Sequence, residues 1–353
     1  MSEVKHRDLV YMIDPPPVDR RPSLLSHQQV SLKPRHRVSA THLNNDLNRV
    51  IDSGRLGNYL HITTYTMKSI GNDSVAKIDI GTFNTTPLHE FSSPRHHNAH
   101  SIALSIRYAS PPTILLGMNM LDMNIPRIRC KILSVANDGA QVDIESWEDT
   151  KLYSVGCSWL SIPPNDPDIQ CGRFDTLEDH PMSKPNISTK HKVTFTHPYH
   201  TTPKVVVWLE AFSTHPGRNC RIIVEATDIT PSGFTLEINT WLWTDILCAT
   251  AVWLAHSADR KDIRSGAFST DDVRPRNEPR LKNSSYIPIA GGAYSKKPHV
   301  FSALNMLDFR SGRNIRVKAH TGDMTLHGMT WHLDSGADSV CYGAGASFII
   351  LDQ

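Results

Sequence analysis

The phrases IDIGTF, IQCGRF and IRSGAF begin at Ile78, Ile169 and Ile263, and each reads isoleucine, two residues, glycine, one residue, phenylalanine. From Gly81 to Gly172 is 91 residues, and from Gly172 to Gly266 is 94. Three further landmarks keep that interval. A proline precedes an apolar run at Pro112, Pro203 and Pro298, and an arginine opens a second run at Arg127, Arg221 and Arg316. A tryptophan closes a third at Trp147, Trp241 and Trp331. The longer phrases MNMLDM, from Met118, and LNMLDF, from Leu304, agree with it. Self-similarity at a fixed period has to be settled before any fold is considered. The chain is an internal triplication.

A unit of a little over ninety residues is too long for a solenoid repeat and has the size of a small β-sandwich. GFTLEINTW alternates as a half-buried strand should, with Phe234, Leu236 and Ile238 on one face and Thr235, Glu237 and Asn239 on the other. Turn-forming residues precede these strands at Asn137-Asp138-Gly139, Pro231-Ser232-Gly233 and Gly322-Asp323. The expected fold is all-β: three tandem antiparallel sandwiches over residues 78–168, 169–262 and 263–353. Residues 1–77 read as an N-terminal extension. Its proline-rich start is extended, and Leu43, Leu47, Val50 and Ile51 before Gly54 suggest one short amphipathic helix.

The totals narrow the function classes. With 37 basic against 35 acidic residues there is no electrostatic case for nucleic acid. No apolar run approaches the roughly 20 residues of a membrane span, so no membrane insertion is expected. The start of the sequence lacks the apolar core of a secretory signal, which points to the cytoplasm or to release by a non-classical route. Six cysteines without a CxxC read as reduced thiols.

Strand parity then places candidate binding residues. Trp147, Trp241 and Trp331 share parity with polar neighbours, so all three are expected on the outer sheet face. Arg127, Arg221 and Arg316 obey the same rule. The midpoint of each arginine–tryptophan pair falls in or beside a turn, so a hairpin would set guanidinium and indole opposite each other. The third hairpin counts 15 residues from Arg316 to Trp331, against 20 from Arg221 to Trp241. Such a pair is either a structural cation–π contact or a polar-ligand site, with an aromatic plane for a sugar face and donors for its hydroxyls. Trp159 and Trp253, in apolar last strands, are expected in packing.

At these residues the chain resembles the H-type lectin family, the galactose- and N-acetylgalactosamine-binding domains of snail agglutinins and discoidins. WEDTKLYSVGCSWLSI in the first unit carries the resemblance furthest. It implies six-stranded antiparallel sandwiches that assemble as trimers and bind sugar in the clefts between domains. Three copies in one chain would then form an intramolecular pseudo-trimer, with glycans or glycoproteins as partners and further oligomerisation open. The family arginine falls on Arg127, Arg221 and Arg316, and its tryptophan on Trp147, Trp241 and Trp331. The histidine after the tryptophan is kept as His332, where the other units have Glu148 and Leu242. The family tyrosine is kept as Tyr153, and Glu278 is the candidate acidic acceptor. No cofactor, metal or catalytic residue is implied.

Two rivals belong to other classes. A structural or adhesion scaffold with degenerate sugar sites would share the same fold. A metal-dependent enzyme would draw on the histidine clusters at His96, His97 and His100 and at His191, His197 and His200. Neither cluster recurs at a matching place in the other units, so surface histidines are the expected reading.

Overall fold

The computed structural model describes residues 77–164, 166–288 and 298–352. The short helix and extended segment expected in residues 1–77 lie almost wholly outside that range. The first repeat supplies β1 (Asp79–Asn84), β2 (His97–Ala103), β3 (Thr113–Met123), β4 (Arg127–Ala136), β5 (Gly139–Ser146) and β6 (Leu152–Ile162). The second supplies β7 (Ile169–Asp175), β8 (Ser188–Thr194), β9 (Lys204–Thr214), β10 (Cys220–Thr230), β11 (Gly233–Asn239) and β12 (Ile246–His256). The third supplies β13 (Ile263–Ser269), β14 (Ser284–Pro288), β15 (His299–Phe309), β16 (Ile315–Gly322), β17 (Gly328–Ser335) and β18 (Cys341–Leu351). Single 3-10 turns follow β1, β7 and β13.

The repeated IxxGxF phrase is explained by what lies across from its glycine. Gly81 pairs with Trp159, Gly172 with Trp253 and Gly266 with Phe348. A Cβ on these glycines would come within 2.3, 2.8 and 2.9 Å of the facing ring. The aromatic therefore lies flat over bare backbone, and only glycine permits that approach. Both tryptophans are buried, as the sequence led us to expect.

Each repeat divides its strands into two three-stranded halves whose apolar faces share one core. Ile102, Val142 and Ile144 on one half pack with Leu116, Met118 and Cys157 on the other. No half stands alone. The three sheets run β1-β6-β3-β16-β17-β14, β13-β18-β15-β10-β11-β8 and β2-β5-β4-β9-β12-β7, with every pairing antiparallel. Half of the first repeat thus completes a sheet with half of the third. The third does the same with the second, and the second with the first, so the cycle closes.

A second core lies where β3, β9 and β15 touch one another. Leu115, Val206 and Phe301, each three residues after its proline, meet there with Trp208. The equivalent positions two residues on are Gly117, Trp208 and Ala303, one large ring against two small residues. Hydrogen bonds between repeats surround this core. Ser158 Oγ donates to the Ser302 carbonyl at 2.7 Å, Ser347 Oγ to that of Val207 at 2.7 Å, and Trp208 Nε1 to that of Leu116 at 2.8 Å.

One buried group makes the fold sensitive to acid. His256 is 2% exposed, with Nδ1 2.9 Å from the Ser257 carbonyl and Nε2 2.8 Å from the Ser265 hydroxyl. A nitrogen facing a carbonyl must donate, so Nδ1 carries the proton and the neutral Nε2 accepts from Ser265. Burial, reinforced by Arg260, holds this imidazole below its ordinary 6.5. The unfolded chain then binds more protons in the window beneath that value. The stability His256 confers is complete above it and is lost as pH falls through the folded pKa. Melting temperature should decline between pH 7 and pH 5, and His256→Gln should flatten the decline. An equal slope in the variant would count against this assignment.

Candidate functional site

The arginine that opens the second strand of each hairpin sits at a seam between repeats. Arg221 on β10 is in register with Asp308 on β15, and Arg316 on β16 with Asp122 on β3. Arg127 on β4 faces Ser213 on β9. The Leu-Asp of MNMLDM and LNMLDF is therefore the partner of an arginine from another repeat, and the second repeat, with FS in its place, lacks it. Arg221 Nε donates to Asp308 Oδ1 at 3.2 Å and Arg316 Nε to Asp122 Oδ2 at 3.3 Å. Burial pushes both carboxyls above their ordinary value, and the facing arginine opposes it.

The loop after the hairpin supplies a second layer. Glu148, Leu242 and Ala337 all have left-handed backbone, at φ 54°, 48° and 48°. They follow Trp147, Trp241 and Gly336, so the structural counterpart of the first two tryptophans is Gly336. The hydrogen bonds agree, since Ser146, Thr240 and Ser335 donate to the carbonyls of His96, Ile187 and Leu281 in the same way. Arg127 to Ser146, Arg221 to Thr240 and Arg316 to Ser335 each span 19 residues. The third hairpin is not shorter.

Two expectations are corrected here. Trp331 does not face outward; it is 2% exposed and stacks on Phe268 at 5.0 Å, leaving no ring face for a ligand. With the register moved by five residues, Trp331 takes the inward parity and His332 the outward one. The paired arginine and tryptophan of one hairpin also do not cover each other. Arg127 is buried and bonds Glu148 and Asp149. It is Arg129 that lies over Trp147, at 5.9 Å, and Arg276 of the third repeat that lies over Trp241, at 5.2 Å.

The other candidates are scattered. Tyr153 stacks on the exposed Phe91 at 4.7 Å, and Glu278 is exposed beside Arg280. The histidine clusters do not converge. His100 stacks on Phe83, His191 on Phe174, and His197 Nε2 bonds the Pro167 carbonyl.

At the seam of the second and third repeats the side chains do gather. Asp308 accepts from Arg221, and the nearby Trp241 also favours its ionised form. A hollow of about 290 Å³ beside it is lined by Ile223 from the second repeat and by Ser269, Asp271, Arg276, Asn305 and Met306 from the third. Arg276 bonds Asp271 at 2.8 Å and roofs Trp241. At the seam of the first and second repeats the equivalent hollow, about 430 Å³, holds Arg129, Lys131, Arg173, Asp175 and Glu210. Arg173 Nε donates to both Glu210 oxygens, at 3.0 and 2.8 Å, so the wall of this hollow is taken up by the protein's own ion pair.

The position after the left-handed residue separates the three seams. It is Asp149, Trp243 and Asp338 in turn. Asp149 bonds Arg127 and Asp338 bonds Arg316, so in those repeats a local carboxylate caps the seam arginine. Trp243 cannot, and Arg221 donates instead to the Leu242 carbonyl at 2.9 Å, while Arg218 holds the Trp243 carbonyl at 2.6 Å. Trp243 is 84% exposed and itself left-handed at φ 68°. Sequence reading passed over Trp243, Asp271, Arg276 and Asp308. The Leu-Asp repeat was a visible signal for the last.

The family model for the H-type lectin domain matches residues 100–162, 190–256 and 291–349, together more than half of the chain. The chain belongs to the H-type lectin domain family. A curated relative, ATP synthase subunits region ORF 7 of Fuscovulum blasticum, is 39% identical over 70 residues, which cover 20% of this chain and 61% of that protein. Recombinant discoidin II of Dictyostelium discoideum overlays on 50% of this chain and 95% of its own, at 13% identity and a TM-score of 0.23, too loose to carry an argument. The three H-type lectin matches each contain a seam arginine and the strand that follows it.

Proposed function

We propose that this H-type lectin protein is a non-catalytic carbohydrate binder, taking galactose- or N-acetylgalactosamine-type glycans at the seams of a covalent pseudo-trimer. The observation that carries the reading is the second seam, where Arg221 bonds Asp308 and Arg276 of the next repeat covers Trp241, while the strained, exposed Trp243 follows the Leu242 carbonyl that Arg221 holds. An indole held outward at positive φ costs backbone strain and apolar exposure, a combination that marks recognition surfaces. A sugar offers an apolar face to such a ring and hydroxyls to amide, carboxylate and guanidinium. Several weak sites at fixed spacing raise avidity without new contacts.

A second reading keeps the scaffold and drops most of the sites. It is favoured by the Arg173–Glu210 pair inside the first hollow and by glycine in place of tryptophan at Gly336. A glycan array followed by titration with N-acetylgalactosamine separates the two. Trp243→Ala should weaken binding about tenfold, corresponding to roughly 1.4 kcal/mol of lost stacking, and leave the melting temperature unchanged because the ring is exposed. Undiminished binding in this variant would remove Trp243 from the site, and a blank array would favour the scaffold.

A further inference from the structure

Four residues beyond the seam arginine Arg316, two imidazoles and a carboxylate converge on one face of the β16–β17 hairpin. His320 and His332 are directly opposite in register, with rings stacked at 4.6 Å and 8° apart in plane. Asp334 lies two residues beyond His332 on the same face, its Oδ2 3.3 Å from His320 Nε2. One donor atom from each of the three lies within 4.8 Å of the others. Asp334 Oδ1 is buried and has no hydrogen-bond partner, which is costly for a charged oxygen. Beside His332 Nε2 the chain has Gly322, where any Cβ would stand 3.0 Å from that nitrogen.

We propose that His320, His332 and Asp334 form a binding site for one divalent transition-metal ion of the zinc class. Two imidazoles and one carboxylate suit Zn²⁺ and its neighbours, whereas Ca²⁺ and Mg²⁺ take shells built of oxygen. Tetrahedral bonds of about 2.1 Å set donors about 3.4 Å apart, so closure needs side-chain rotation only. Water completes the fourth position. Two lysines oppose the ion. Lys282 Nζ sits 2.8 Å from Asp334 Oδ2 but is largely exposed and free to swing away, and Lys318 stands on the same face. The pseudo-equivalent positions elsewhere are poorer. In the first repeat Asp143 is already engaged by His97 and by the Asn98 N–H, and the second repeat has Glu237 and Asn239 with no histidine.

The test is calorimetric titration of the metal-stripped full chain with ZnCl₂, with cobalt absorption as a second readout. One equivalent of zinc is expected to bind at a site that His332→Gln or Asp334→Asn weakens at least tenfold. Lys282→Ala, which frees the carboxylate, should tighten it several-fold, and it guards against a loss caused only by misfolding. CaCl₂ and MgCl₂ should give no matching heat. The proposal fails if the unaltered chain takes up no zinc, or if the histidine and aspartate variants keep the full stoichiometry and affinity. It fails equally if Lys282→Ala leaves the affinity where it was.

Discussion

Trp208→Ala is expected to destabilise the protein by about 3–5 kcal/mol, the range for emptying an aromatic site in a packed core. The ring is fully buried where β3, β9 and β15 meet, tilted against Phe301 at 4.9 Å. Its counterparts in the other repeats are Gly117 and Ala303, which have no atoms to move into the space. A Cβ on Gly117 would already stand 2.4 Å from that of Ala303 and 2.8 Å from the Trp208 ring. The loss also strands the Leu116 carbonyl that Nε1 now satisfies. Because the ring touches strands from three repeats, urea denaturation followed by far-ultraviolet dichroism should shift as one transition. A cost below about 1 kcal/mol would show that the centre can collapse and is not a packed core.

Arg221→Ala should cost about 3 kcal/mol, because it leaves a buried carboxylate without its main counter-charge. The Asp308 side chain is 6% exposed, and Arg276 and Trp241 remain to offset part of the loss. Asp308→Asn should cost less, since an amide oxygen still accepts from Arg221 and the guanidinium keeps the Leu242 carbonyl. The two variants should also differ in pH response. Burial raises the Asp308 carboxyl, and losing Arg221 raises it further, so the native state takes up a proton more readily than the unfolded chain. The defect of Arg221→Ala is therefore full at neutral pH and shrinks as pH falls toward the ordinary value of 3.8. Thermal melts at pH 7 and pH 4.5 check this, and a defect that grows with acid would contradict it. Glycan binding should fall with Arg221→Ala as well, because the Leu242–Trp243 loop loses its anchor.

Much of the fold was legible. Strand alternation, turn residues and a period near ninety are local, and they led to an all-β triplicate chain with its seam arginines in the right strands. The error at Trp331 shows what identity matching misses. Tryptophan was taken as the fixed point of the third hairpin, but backbone register puts Gly336 there. A shift of an odd number of residues turns every side chain of a strand to the opposite face. Trp243 was missed because an aromatic two residues from another aromatic reads as strand alternation. Only the left-handed backbone at Leu242 and Trp243 turns it out to solvent.

The order of residues alone determined the repeat and the strands, because each follows from residue type and spacing along the chain. What tertiary structure decided is which strand edges join. Every strand presents the same backbone donors and acceptors whatever its sequence, so nothing in β10 marks β15, rather than a strand of its own repeat, as its neighbour. That choice set Arg221 against Asp308 and brought Arg276 over Trp241. With it came a shared cleft at the seam, where a single repeat offers only one wall.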